Sequence, residues 1–230
     1  MKWYAIAGIT STIAFFLPVI TIIYYRMYRH RSLAALMMYY LITAVHNLMI
    51  QGILGVSPSF QETFGIINNF LDAPLMLVAL LFFCPAKENQ MAVNIIAGTF
   101  IVYEVTIIAL LGFNLKSVIY VIGPGLLLIF TYSFYLFVRQ IKFAIVHGKG
   151  VGRAIMLASI LFAYGCYLLI YYFYYIQKTP YIGDTFLLYF ICSFIASIFM
   201  TIGLSMTRKR LQELEDLKHT RRELSVFFKS

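Results

Sequence analysis

Charge is scarce in this chain. Asp, Glu, Lys and Arg make up 12% of its 230 residues, about half the share usual in a soluble domain. Cysteine occurs three times, as Cys84, Cys166 and Cys192, each within or at the end of an apolar stretch and never as Cys-x-x-Cys. That spacing offers neither a disulfide framework nor a zinc site and leaves the three as small buried hydrophobes. The four histidines, His30, His46, His147 and His219, are far apart, and no HExxH, HxxxH or GxSxG occurs. Zinc proteolysis, di-iron hydroxylation and serine hydrolysis therefore lack their usual residues, which weighs against an enzyme.

Apolar residues fill the gap. They make up 62% of the chain, with a mean hydropathy of +0.85, against roughly 45–50% in soluble domains. One soluble core of this size cannot hide such an excess, so a bilayer must act as its solvent. Stretches of about 20 residues, long enough to cross a bilayer at about 1.5 Å per residue, occur seven times. They predict helices over 4–25, 33–54, 66–84, 91–113, 116–138, 154–176 and 184–206. The start, Met1-Lys2-Trp3-Tyr4, carries one positive charge and no small-residue cleavage site follows it; it reads as the beginning of the first helix, not as a signal peptide.

Orientation follows from Lys and Arg in alternate loops. Fifteen of the 18 lie on one side, at Arg26, Arg29, Arg31, Lys87, Arg139, Lys142, Lys149, Arg153 and in the tail; Lys2, Lys116 and Lys178 lie on the other. The chain is thus expected to be an all-α polytopic membrane bundle of seven transmembrane helices, N-terminus outside and C-terminus cytoplasmic. The expected location is the bacterial inner (cytoplasmic) membrane. The net charge of +9 sits in loops, so nucleic acid is not an expected partner. Residues 1–206 form the transmembrane domain and 207–230 a basic helical tail. In the tail Leu211, Leu214, Leu217, Leu224 and Phe228 make one stripe. The stripe suits a cytoplasmic signalling partner or a homodimer, and equally a cationic helix lying on anionic membrane lipid.

Ionisable groups inside a span are costly and mark candidate sites. His46, Asp72 and Glu104 stand mid-span, and with the predicted boundaries all three fall in one layer about 20 Å above the inner face. Tyr39, Thr43, His46, Asn47 and Gln51 extend it along the second helix, and Asn68 and Asn69 share the face of Asp72. Gly123-Pro124-Gly125 weakens the fifth helix near Tyr120, and Tyr164, Tyr167 and Tyr189 add hydroxyls. The expected ligand- or proton-binding set is His46, Asn47, Asn69, Asp72, Glu104, Tyr120 and Tyr167. An interhelical hydrogen-bonded clamp is the structural alternative. Tyr171-Tyr172-Phe173-Tyr174-Tyr175 reads as an interfacial aromatic belt.

Seven helices, an external N-terminus and an acid before a proline on the third helix (Asn69-Phe-Leu-Asp72-Ala-Pro74-Leu-Met-Leu-Val-Ala-Leu-Leu81) resemble the microbial rhodopsins. The resemblance implies a heptahelical bundle with its N-terminus outside. It does not extend to the retinal-binding lysine, since residues 184–206 contain none, and Asn69 stands where that family usually has arginine. No covalent retinal is expected; a noncovalent lipid or polyene is compatible. Asp-Arg-Tyr, the mark of eukaryotic seven-helix receptors, is absent. The expected function is a heptahelical sensor binding a small lipophilic or weakly polar ligand in the outer half of the bundle. The alternatives are a small transporter or proton-coupled carrier using the same layer, or a membrane-embedded enzyme acting on a lipid.

Overall fold

The computed structural model describes residues 2–84, 87–178 and 182–227, and the side chains of 3–84, 90–178 and 183–208. Seven α-helices follow one another: α1 (Lys2–Tyr24), α2 (Arg31–Ile50), α3 (Pro58–Leu80), α4 (Lys87–Leu111), α5 (Leu115–His147), α6 (Val151–Tyr171) and α7 (Ile182–Phe227). Each carries a stretch long and apolar enough to cross a membrane, and among the described residues there is no strand. Large apolar side chains such as Ile13, Val102, Leu110 and Phe199 are exposed on the outer surface of the bundle. Water would reject that surface and lipid tails accept it.

Several helices outrun the apolar stretches that predicted them. Ser57 accepts the Phe60 N–H, and Pro58 opens α3 with its φ already set. The helix therefore begins eight residues before residue 66. Asn114 and Ser117 form a reciprocal capping box at the start of α5. Arg139 and Lys142 end the apolar run of α5 but not its hydrogen-bond ladder, which continues to a left-handed Gly148 (φ 60°). With Gly150 also at positive φ (83°), α6 begins at the next residue, Val151. At its far end α6 widens into a π-helical turn, Tyr172–Ile176. The last helix, α7, runs unbroken through 46 residues. The leucine stripe beyond Arg208 lies outside the residues whose side chains are described.

Packing closes a ring: α1 touches α2 and α7, α2 touches α3, α3 touches α5, α5 touches α6, and α6 touches α7. The remaining span, α4, lies outside the ring against α3 and α5 and is the least buried of the seven. The ring closes through small residues. A Cβ on Gly125 of α5 would come 3.1 Å from Ala73 Cβ of α3, which brings those two helices together directly. Between α6 and α7 a Cβ on Gly203 would stand 2.8 Å from Gly152 O, and one on Gly152 would stand 2.8 Å from Gly203 O. These helices meet backbone to backbone, as small residues permit in lipid. The end of the bundle holding the N-terminus and the α2–α3, α4–α5 and α6–α7 connections is called upper below, the opposite end lower.

Pro124 leaves a trace in this packing. Lacking an N–H, it cannot serve the carbonyl four residues earlier, that of Tyr120. The hydroxyl of Tyr103, on α4, donates to that carbonyl at 2.9 Å, and the hydroxyl of Tyr171 donates to the neighbouring Ile119 carbonyl at 3.1 Å. α5 consequently stays helical through its Gly-Pro-Gly, and α4 and α6 are fastened to it. Tyr103→Phe is expected to cost about 0.6–1.7 kcal/mol, the range for interhelical hydrogen bonds in membranes. In a Pro124→Ala background, where the helix supplies its own N–H, the same change should cost close to nothing. Thermal unfolding of the four proteins in detergent measures the difference; equal costs in both backgrounds would contradict the assignment.

Candidate functional site

A partly open cavity of about 180 Å³ lies between the helices of the ring, running from mid-bundle toward the upper end. Tyr39 and Thr43 of α2 form one wall, and Asn68, Asn69 and Asp72 of α3 the next. Ile122 and Leu126 of α5 supply an apolar side. Tyr167, Ile170 and Tyr171 of α6, Tyr175 of the π-helical turn and Tyr189 of α7 complete it. Residues at i, i+3 and i+4 share a helix face, which is why 68, 69 and 72 arrive together, as do 167, 170 and 171.

Most polar groups on this wall are held by other parts of the protein. Tyr164, on the α6 turn below Tyr167, donates to Asp72 Oδ1 at 2.9 Å. Tyr167 and Ser193 share a 2.8 Å bond. Asn47 Nδ2 donates to the Tyr189 hydroxyl at 3.4 Å. Thr43 donates to Asn68 Oδ1 at 3.5 Å, and Asn69 Nδ2 donates to the Gly65 carbonyl at 2.8 Å. Asp72 is the one carboxylate on the wall, and no Lys, Arg or His lines it. Among the described residues no three His, Cys, Asp or Glu side chains gather as a metal centre requires.

Of the seven residues singled out from sequence, Asn69, Asp72 and Tyr167 line the cavity. Asn47 stands behind it, holding Tyr189. His46 does not share the layer: it packs against Gly65, whose Cβ would meet Nε2 at 2.9 Å, and beside the Phe64 ring. Gly65 precedes Asp72 by seven residues, so His46 lies about 10 Å higher in the bundle. The common depth came from starting α3 at residue 66; with the helix beginning at Pro58, Asp72 is near its middle. Tyr120 turns its ring outward, 58% exposed, and contributes only its carbonyl. Glu104 lies off the wall, in α4. Phe100, one turn before it, meets the same Gly125 that meets Ala73, which puts Glu104 about 6 Å above that level. It is 6% exposed, and its Oε1 has no partner among the described residues.

The aromatic belt divides in two. Tyr172, Phe173 and Tyr174 are exposed, as a belt at a membrane surface would be, whereas Tyr171 and Tyr175 line the cavity. Apolar content shows how deep such a run sits but not which way each ring faces. Comparison with protein-family models, with curated proteins and with solved structures finds no match. The likeness to microbial rhodopsins rests on helix number and the stretch around Asp72. What the chain does show is the class: an all-α bundle of seven apolar helices with the make-up of a multi-pass membrane protein.

Proposed function

We propose that this chain is a heptahelical, receptor-like membrane protein that binds a small ligand in the cavity beside Asp72. The observation that carries the proposal is the cavity itself. It is walled by five helices, sets a few polar groups in a mainly apolar lining, and is larger than the roughly 150 Å³ engineered cavity that admits benzene. Ligand sites characteristically combine such a hollow with a few fixed polar groups. α7 supports a reporting role, since one helix carries Tyr189 on the cavity wall and continues into the tail.

Native mass spectrometry of the purified protein tests it. A bound small-molecule mass is expected in the wild type and should be missing from Ile122→Trp, which fills the hollow while leaving α5 helical. Identical spectra from the two folded proteins would overturn the proposal. A carrier function has one observation in its favour, the buried Glu104, whose Oε1 has no partner among the described residues; ligand-driven flux in proteoliposomes, lost in Glu104→Gln, would decide for it.

The proposal includes an orientation with the upper end outside and the tail in the cytoplasm of a bacterial cell, supported by the Lys and Arg distribution. Ser59 and Lys149 are both exposed, at opposite ends of the bundle. A membrane-impermeant maleimide should label Ser59→Cys in intact cells, and Lys149→Cys only after permeabilisation. The reverse pattern would invert the topology.

A further inference from the structure

We propose that the cavity selects a small organic cation, an ammonium compound held by the Asp72 carboxylate among tyrosine ring faces. This rests on the cavity being a ligand site and goes further by naming the ligand's chemistry.

Three features of the wall lead there. The first is its charge. Asp72 stands on the wall with no cationic side chain beside it, although an acid at this depth calls for a partner. Its hydrogen bond from Tyr164 engages one carboxylate oxygen. The second is the disposition of the tyrosines. Five of the twelve lining residues are Tyr39, Tyr167, Tyr171, Tyr175 and Tyr189. Three of those hydroxyls are already bonded to protein: Tyr167 to Ser193, Tyr171 to the Ile119 carbonyl, and Tyr189 to Asn47. With these three hydroxyls engaged by the protein, their rings are what remains for a ligand. An aromatic face presents negative electrostatic potential and attracts a cation within about 6 Å of its centroid. The third is the Asn69 amide, which spends one N–H on the Gly65 carbonyl and keeps its oxygen.

A carboxylate, tyrosine rings and the Asn69 oxygen complement a cation and repel an anion. A neutral apolar ligand would gain nothing from Asp72. Size narrows the class. Choline is close to benzene in heavy-atom count, and a cavity of about 150 Å³ admits benzene; the one here is about 180 Å³.

The test compares choline with 3,3-dimethylbutan-1-ol, which replaces the charged nitrogen by carbon and keeps the shape. Binding is followed by calorimetry on the full chain in a maltoside detergent, which avoids choline-bearing head groups. Choline should bind at least about tenfold more tightly than the alcohol, the advantage of a charge-assisted contact. Asp72→Asn should erase that preference. Should Asp72→Asn fail to fold, Tyr175 decides: Tyr175→Leu weakens choline by about fivefold, while Tyr175→Phe, which keeps the ring, stays within about twofold.

Equal affinity for the two probes, both lost in Ile122→Trp, would overturn the cation assignment and leave the ligand site standing. Binding of choline that Ile122→Trp leaves intact would place it elsewhere and overturn the assignment too. Failure of choline to bind at all has the same consequence. The native mass comparison of wild type with Ile122→Trp then judges the cavity separately.

Discussion

Gly203→Leu is expected to abolish the folded protein. A Cβ at this position would lie 2.6 Å from Met156 Cγ, 2.8 Å from the Gly152 carbonyl oxygen and 2.9 Å from Met156 N. Two of those three are backbone atoms, so turning the Met156 side chain away relieves only part of the clash. Overpacking a close contact costs about 1–3 kcal/mol, and more where backbone must move. Alanine should therefore already be harmful, and leucine should part α6 from α7. Because that contact also seats the cavity wall on both helices, binding should go with the fold. Gly98 of α4 provides the comparison. Nothing lies within 4 Å of its would-be Cβ, and Gly98→Ala should be neutral or stabilising by about 1 kcal/mol through helix propensity. Thermal unfolding in detergent measures all three. Wild-type stability in Gly203→Leu would show that the helices do not approach this closely.

Glu104→Leu is expected to act in the other direction and raise stability. Glu104 is buried in a span, and Oε1 has no partner among the described residues. Leaving a polar atom unsatisfied away from water costs about 1–3 kcal/mol, and removing it returns that amount. Asp72→Leu has no such gain to make, because it breaks the bond from Tyr164. Opposite shifts in melting temperature would separate an acid integrated into the fold from one that is not. A protein gains from carrying an unsatisfied buried carboxyl only if the carboxyl does something. Should Glu104→Leu be more stable and equally competent in binding, the carrier reading loses its one observation. Should it be less stable, the carboxyl has a partner that the structure places elsewhere.

Seven helices could be read from the chain because a span must be apolar over about 20 residues, and the apolar runs ended close to charges or glycines. Their ends were less legible. Hydropathy marks where a helix leaves lipid, whereas capping marks where its ladder stops. Thus Ser57-Pro58 starts α3 and Gly148 ends α5, each well beyond the apolar limit. That displacement changed the site, since the depth of Asp72 was counted from the wrong end residue and His46 was drawn into its layer. Asn69, Asp72 and Tyr167 could be found because polar residues in a span are rare and helical spacing puts them on a shared face. Tyr171 and Tyr175 were missed because a tyrosine run near a helix end looks the same whether its rings face lipid or the bundle. The freed carbonyl of Tyr120 was legible through Pro124, although not that a tyrosine on α4 would take it.

The unbroken length of α7 has a mechanical meaning. From Tyr189 on the cavity wall to Phe227 the helix runs about 57 Å. If it pivots as a stiff rod at Gly203, about 36 Å before its far end, a tilt of about 5° displaces that end by about 3 Å. The bundle gives such a rod a fulcrum, since Gly203 and Gly152 clasp it against α6 some 20 Å below Tyr189. A displacement at Tyr189 is thereby carried, enlarged, to the tail.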